Sequence, residues 1–238
     1  MKKCSASIDS IESFSTKDGP GIRTVIFLNK CKLRCLFCHN PETWNMKDYN
    51  ITVEEAYKKI INFKDYYGKN GGVTFSGGEP LLQSEFVIEL SKLLKKDNIN
   101  IALDTAGVGN GNYEEILKYV DLVILDIKDY RENGYFKMTG HTIDDFNEFL
   151  KVLNKTNKKI WIRQVIVPGM NDNEEYILGL KKYIKNIKNI TNIELLPYHT
   201  MAVEKYKKLG IPYRLEGVPD MNKDKCLKLE KILKNSDL

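Results

Sequence analysis

The 238-residue sequence predicts an α/β fold built on a mostly parallel sheet. Two observations carry that expectation. Short β-branched or apolar runs alternate with segments of helical periodicity, and each run ends in polar or metal-ligating residues. Runs separated by helices imply parallel strands joined by right-handed crossovers. Six of them fall short of the eight a closed barrel needs, which leaves a doubly wound sheet or a partial barrel. In both, ligands bind at the carboxyl ends of the strands.

In order, the first run is the β-branched stretch 24–28. Thr52 and Glu55 then form a capping box, which opens an amphipathic helix with Ala56, Ile60 and Ile61 on one face. A strand at 72–75 leads to a helix over about 83–96, where Phe86, Val87, Leu90, Leu93 and Leu94 recur at helical spacing. Strand 99–104, helix 113–120 and strand 121–128 follow. A helix from 142 carries Ile143, Phe146, Phe149, Leu150 and Leu153. Strand 159–167, helix 173–187, strand 192–197 and helix 222–233 complete the pattern, read as one domain over 1–238.

Composition narrows the class. Hydrophobic residues at 42% and charged residues at 29% describe an ordinary soluble chain. The apolar runs 25–28 and 122–125 are too short for a bilayer, and the first residues offer no apolar signal region, so the expectation is a cytoplasmic protein with no membrane partner. The net charge of +5 is scattered, with no basic block interleaved with aromatics, which argues against a nucleic-acid partner.

The cysteines are Cys4, Cys31, Cys35, Cys38 and Cys226. An odd number with three crowded together suits metal or cluster chemistry better than disulfides. Thiolates select iron–sulfur clusters or zinc, and three ligands leave one corner open for chemistry. His39 could close a Cys3His zinc site, but that would leave the other strand ends without a purpose. Those ends are Ser76-Gly77-Gly78-Glu79-Pro80, Asp104-Thr105, Asp126-Ile127-Lys128, Arg163 and Pro197-Tyr198-His199.

Alternation puts Val123, Leu125 and Ile127 on one face and Leu122, Ile124, Asp126 and Lys128 on the other. Asp104 is in phase with Ala102. Two inward aspartates suit a cation or cationic ligand, the plain alternative being an Asp126–Lys128 ion pair. The Gly77-Gly78 turn permits positive φ and close approach of a ligand, or is a simple strand-to-helix turn. The segment 18–23 is a rigid turn on the same rim or a tight entry to the sheet. Cys226, in phase with Leu229 and Leu233, reads as core, Cys4 as structural, His141 as a helix-cap residue, and Trp44 and Trp161 as packing.

Cys31-x3-Cys35-x2-Cys38, with Phe37 before the last cysteine, resembles the signature of the radical S-adenosylmethionine (SAM) superfamily. Asp18-Gly19-Pro20-Gly21-Ile22-Arg23, Cys38-His39-Asn40, Ser76 to Pro80, Leu125 to Lys128 and Leu196 to His199 extend the likeness over essentially the whole chain. Within the superfamily it is similar to the activating enzymes of glycyl-radical enzymes.

That resemblance implies a partial (β/α)6 barrel with one four-iron four-sulfur cluster on Cys31, Cys35 and Cys38. SAM would chelate the fourth iron and be cleaved to a 5′-deoxyadenosyl radical, which takes a hydrogen atom from a glycine backbone of pyruvate formate-lyase in anaerobic metabolism. It implies further a flavodoxin- or ferredoxin-type electron donor and a monomeric enzyme. Carried over by residue, the catalytic set is Cys31, Cys35, Cys38, Lys128 and Arg163, with Arg163 facing the cofactor carboxylate. Phe37 and His39 flank the adenine end, Cys38 and Asn40 are further cofactor contacts of the same loop, and Ser76, Gly77, Gly78 and Glu79 lie at the methionyl amine. Asp126, Ile127, Lys128 and His199 are further cofactor contacts. Asp104, Thr105 and Asp126 would hold a monovalent cation, and Asp18, Gly19 and Arg23 would border the partner's glycine loop. Ala106 departs from the polar residue often found in this turn and puts one supporting hydrogen bond in question. The cysteine-free stretch from Cys38 to Cys226 leaves no ferredoxin-like insert, which favours pyruvate formate-lyase over other glycyl-radical partners. Other readings are an activase of a different glycyl-radical enzyme, a Cys3His zinc or RNA-binding protein, and a small redox sensor.

Overall fold

Interior strands of a parallel sheet are buried on both faces and read as continuous apolar runs, and the expected strands form where those runs lie. The computed structural model describes residues 4–235. Its elements are β1 (Ser5–Ala6), β2 (Ile8–Ser15), β3 (Arg23–Leu28), β4 (Ile51–Thr52), α1 (Val53–Ile61), β5 (Gly72–Gly77), α2 (Ser84–Lys96), β6 (Asn100–Thr105), α3 (Tyr113–Tyr119), β7 (Leu122–Asp126), α4 (Glu132–Thr139), α5 (Asp144–Leu153), β8 (Lys159–Ile166), α6 (Glu174–Ile184), β9 (Ile190–Pro197), α7 (Val203–Leu209) and α8 (Lys223–Lys234).

The main sheet runs β2-β3-β5-β6-β7-β8-β9. From β3 to β9 every pairing is parallel and follows chain order. This is the winding of a barrel that stops short of closure, so the partial-barrel alternative holds and the doubly wound one does not. The capping box at Thr52 is present, with Glu55 N–H donating to Thr52 Oγ1 at 3.2 Å.

Sequence reasoning missed five elements, β1, β2, β4, α4 and α7. β2 pairs antiparallel with β3, and β1 with β4. β2 mixes polar and apolar residues over a register irregularity, which hides its period. Helix α4 buries only Tyr135, Met138 and Thr139, and α7 only Tyr206, too few positions to set a helical stripe.

Alternation divides the sheet as expected. Val73, Phe75, Ile101, Leu103, Val123, Leu125, Ile160 and Ile162 join the large core beneath the helices. The inner face carries a second, small cluster of Ala102, Leu122 and Ile124, with Trp161 against it. Cys226, Leu229 and Leu233 are the buried positions of α8, in keeping with a core role for Cys226. Helix α8 also covers the β9 edge, where Leu195 N–H donates to Glu230 Oε2 at 2.8 Å and Cys226 Sγ donates to Leu195 O at 3.5 Å. Among the described residues no helix is long and apolar enough to cross a membrane.

Arg23 corrects an expectation. It opens β3, pairs in register with Gly72, and is 0% exposed at the amino end of the sheet, away from the rim that carries the cysteines. Its guanidinium donates to Thr74 Oγ1 at 2.6 Å, Val73 O at 2.7 Å and Asn100 Oδ1 at 3.1 Å. Burial lowers its pKa to about 10, so it stays charged at neutral pH. Arg23 therefore plugs the bottom of the barrel, out of reach of a partner's loop. Arg23→Met leaves these acceptors without a donor and is expected to cost about 3 kcal/mol, measured by urea denaturation. A change no larger than that of a surface substitution would refute the plug.

Candidate active site

After β3 the chain enters the cysteine loop, and backbone hydrogen bonds hold that loop on the sheet rim. Gly78 N–H donates to Leu28 O at 2.7 Å and Glu79 N–H to Lys30 O at 2.8 Å. The loop closes on itself through Lys30 N–H to Thr43 O (2.7 Å) and Cys31 N–H to Trp44 O (3.1 Å). Its middle hangs on the end of α4, where Thr139 O and Met138 O accept from Arg34 and Leu36 at 2.8 and 2.9 Å. The glycines are required by this approach: Gly77 has φ +111°, and a Cβ at Gly78 would sit 2.3 Å from Lys30 O. The close neighbour of this turn is thus the chain's own loop.

Burial pushes the Cys35 thiol up to about 12 and raises those of Cys31 and Cys38 as well. At neutral pH all three are thiols unless the positive charge of a metal replaces their protons. They line a cavity of about 400 Å³. Its polar wall is the upper inner face of the sheet, where Ser76 Oγ donates to Asp104 Oδ2 at 2.7 Å and Lys128 Nζ pairs with Asp126 at 2.5 Å. Burial opposes the Lys128 charge, but the Asp126 carboxylate beside it outweighs that and raises its pKa. Arg163 Nε donates to Glu194 at 2.9 Å. Leu33, Val165, Leu196 and Pro197 supply an apolar wall.

His39 and His199 stack across the mouth with centroids 4.1 Å apart. Burial, helped by His199, lowers the His39 pKa to about 4, so its ring is neutral. Three buried polar atoms here have no partner: His39 Nε2, His199 Nδ1 and Asp126 Oδ1. Such atoms are costly unless a ligand meets them. A larger depression, about 590 Å³, opens beside Asp129 and Arg131, but those two pair with each other at 2.9 Å and no cysteine lines it.

The cavity brings together Cys31, Cys35, Phe37, Cys38, His39, Asn40, Ser76, Gly77, Gly78, Asp104, Thr105, Asp126, Lys128, Arg163 and His199. The ion pair weighed for Asp126 and Lys128 is present and lies within this wall. Glu79 is elsewhere: 0% exposed, its carboxylate accepts from Thr105 Oγ1 at 2.5 Å, Ala106 N–H at 2.9 Å and Leu81 N–H at 3.2 Å. Burial raises its pKa to about 7. It braces the ends of β5 and β6, and it takes up the Thr105 hydroxyl expected at a cation. Ile127 packs in the outer core, as its phase in the strand requires, so its side chain does not reach the cavity.

Asp18 and Gly19 do not line the cavity. The Asp18 carbonyl accepts from Thr74 Oγ1 at 2.7 Å, a Cβ on Gly19 would lie 2.9 Å from Arg23 Cδ, and the Lys17 carbonyl accepts from the Arg163 guanidinium, so this turn runs inside the barrel from Arg23 up to the Arg163 wall of the cavity. The charge of Asp18 still acts on Asp104 and Arg163. Trp44, read as packing, and Tyr206 belong to the site: Trp44 Nε1 donates to Cys38 Sγ at 3.2 Å, and Tyr206 Oη donates to Cys38 O at 3.1 Å. No cysteine-like spacing marks either one. A 3-10 turn over Pro41–Thr43 returns Trp44 to the loop, and α7 delivers Tyr206.

The radical SAM superfamily model matches residues 25–181. The chain is 53% identical over 229 residues to a pyruvate formate-lyase-activating enzyme of Clostridium pasteurianum, covering 95% of this chain and 96% of that one. It is 40% identical to one of Streptococcus mutans, covering 98% and 92%. Among solved structures it resembles a domain of a pyruvate-formate lyase-activating enzyme from Bacteroides vulgatus, with a TM-score of 0.55, 22% identity and coverage of 68% and 92%. It also resembles a radical SAM methyltransferase from Sphaerobacter thermophilus, with a TM-score of 0.63, 13% identity and coverage of 96% and 74%. At these identities the structural likeness speaks for the fold alone.

The glycine approach generates a test. Gly78→Ala pushes against Lys30 O and Thr43 O and is expected to cost about 2 kcal/mol by overpacking. It should also lower iron and sulfide uptake in anaerobic reconstitution. Unchanged melting and unchanged uptake would show that the loop does not depend on this contact.

Proposed function

The chain belongs to the radical SAM superfamily, in the family of pyruvate formate-lyase-activating enzymes, and from that premise we propose that it installs a glycyl radical on pyruvate formate-lyase. The observation that carries the reading is one cavity lined by three thiols, Cys35 buried and Cys31 and Cys38 partly buried, together with unpartnered atoms of His39, His199 and Asp126. These residues fit the two groups the family uses, a four-iron four-sulfur cluster and SAM. When bound, these would supply the radical chemistry, consuming one electron and one SAM for each hydrogen atom taken from a glycine backbone of the partner.

The chain's own groups divide the work. Cys31, Cys35 and Cys38 hold the iron and release their protons as they bind it. The ring atoms His39 Nε2 and His199 Nδ1 meet the adenosine end, with Phe37 and Asn40 beside them. Gly77 and Gly78 line the methionyl side, and Lys128, kept charged by Asp126, offsets the negative charge that thiolates and cofactor carboxylate bring together. Arg163 acts on the same carboxylate. Asp104 and Asp126 hold a monovalent cation, with Ser76 fixing one oxygen of Asp104. The apolar wall excludes water from the reacting atoms. A zinc reading is less well supported, since among the described residues no group of three or more His, Cys, Asp or Glu side chains is arranged to hold a single metal ion. The electron donor is of flavodoxin or ferredoxin type, Asp18 and Gly19 border the incoming glycine loop, and the enzyme works as a monomeric single domain.

Anaerobic reconstitution should give about four iron and four sulfide per chain. With reductant, SAM and pyruvate formate-lyase, a stable glycyl radical should appear on the partner by electron paramagnetic resonance. Cys35→Ala should abolish cluster and radical, and Cys226→Ser should keep both. Cofactor cleavage that never labels pyruvate formate-lyase would overturn the partner assignment. Asp104→Ala should keep the cluster but weaken cofactor binding by about 1–3 kcal/mol, read by equilibrium titration. An unchanged affinity would remove Asp104 from the cation site.

A further inference from the structure

Trp44 makes a contact that the proposed reaction does not use. Its indole N–H donates to Cys38 Sγ at 3.2 Å, while its carbonyl accepts the Cys31 N–H at 3.1 Å. One residue thereby clasps the first and last cysteines of the loop. The ring is held on two sides, by the Arg34 guanidinium 5.0 Å over its face and by the edge of Tyr206 at 5.7 Å. An indole nitrogen only donates, so the bond has a fixed direction. A cation over the ring draws electron density from it and makes the N–H a stronger donor. Although Trp44 lines the cavity, its single polar group is spent on the sulfur and offers nothing to a ligand.

We propose that Trp44 sets the reduction potential of the cluster through its N–H···S bond to Cys38, a positioning residue that favours the reduced state. The proposal rests on the assignment of the cluster to Cys31, Cys35 and Cys38 made above. Reduction adds one negative charge, which is shared with the thiolate sulfurs. A donor aimed at one of them stabilises the reduced form more than the oxidised form, and hydrogen bonding to the sulfurs is among the factors that tune such clusters.

The test is an anaerobic redox titration of reconstituted Trp44→Phe beside the parent, followed by electron paramagnetic resonance, with iron and sulfide measured in both. Phenylalanine keeps a ring between Arg34 and Tyr206 and removes the donor. Full cluster content is expected, with the ratio of reduced to oxidised cluster at a fixed poise lowered about fivefold. At 59 mV per tenfold for one electron, that is a midpoint about 40 mV more negative. An unchanged midpoint at full content overturns the proposal and returns Trp44 to packing. A parent without a cluster overturns the cluster assignment instead. Should Trp44→Phe fail to hold a cluster, the parent itself decides. With its two tryptophans labelled by ¹⁵N at the indole, the reduced cluster should show a nitrogen hyperfine coupling that survives Trp161→Phe. Absence of that coupling also overturns the proposal.

Discussion

Hydrogen bonds from Gly78 to Leu28 and from Glu79 to Lys30 bring the turn after β5 against the start of the cysteine loop, and the rest of the site is arranged around that contact. A side chain at Gly78 would separate the two segments. Their contact sets where Cys31 begins, and Cys31 and Lys30 in turn fasten the far end of the loop through Trp44 and Thr43. Glu79 extends the same brace sideways by taking the Thr105 hydroxyl and the Ala106 amide, which fixes the end of β6. The loop with the thiols and the strand end with Asp104 are thus positioned from one turn. A buried carboxylate is costly unless its lone pairs are met, and its use here is mechanical.

The inner face of the sheet changes character along its length. Ala102, Leu122, Ile124 and Trp161 fill the lower barrel, and Ser76, Asp104, Asp126 and Arg163 ring the upper part. A barrel interior is packed and does not serve as a pore, so depth alone directs a ligand to the top. Arg23 closes the bottom with charge and hydrogen bonds in place of apolar bulk. Polar groups at both ends and an apolar band between them leave a single ligand-accepting end.

Much of this was legible in the sequence, for identifiable reasons. Runs such as Leu122 to Asp126 are apolar on both phases because both faces are covered, and the polar residue that ends each run marks the rim. Three cysteines in one loop need no tertiary information to be grouped. What the chain order could not convey is direction after a turn. Glu79 follows Gly78 directly but faces the brace, away from the cavity. Arg23, in a motif carried over by resemblance, lies at the opposite end of its strand from the thiols. Ile127 was placed by strand phase on the outer face and by resemblance at the cofactor, and phase was the better guide for its side chain. Trp44 and Tyr206 reach Cys38 through a short turn and a weakly amphipathic helix, and neither leaves a periodic trace.

The side of β9 that faces α8 bears on whether another chain can add to the sheet. An unpaired strand edge beside an open seam is a template on which any extended chain can pair, and such pairing tends to persist. On this edge the Leu195 amide is already taken by Glu230 and its carbonyl by Cys226. A segment entering through the seam finds no ready ladder there to extend the sheet. One rung of the edge is thus spent within the chain itself, which makes this edge a poorer template for an added strand than its length suggests.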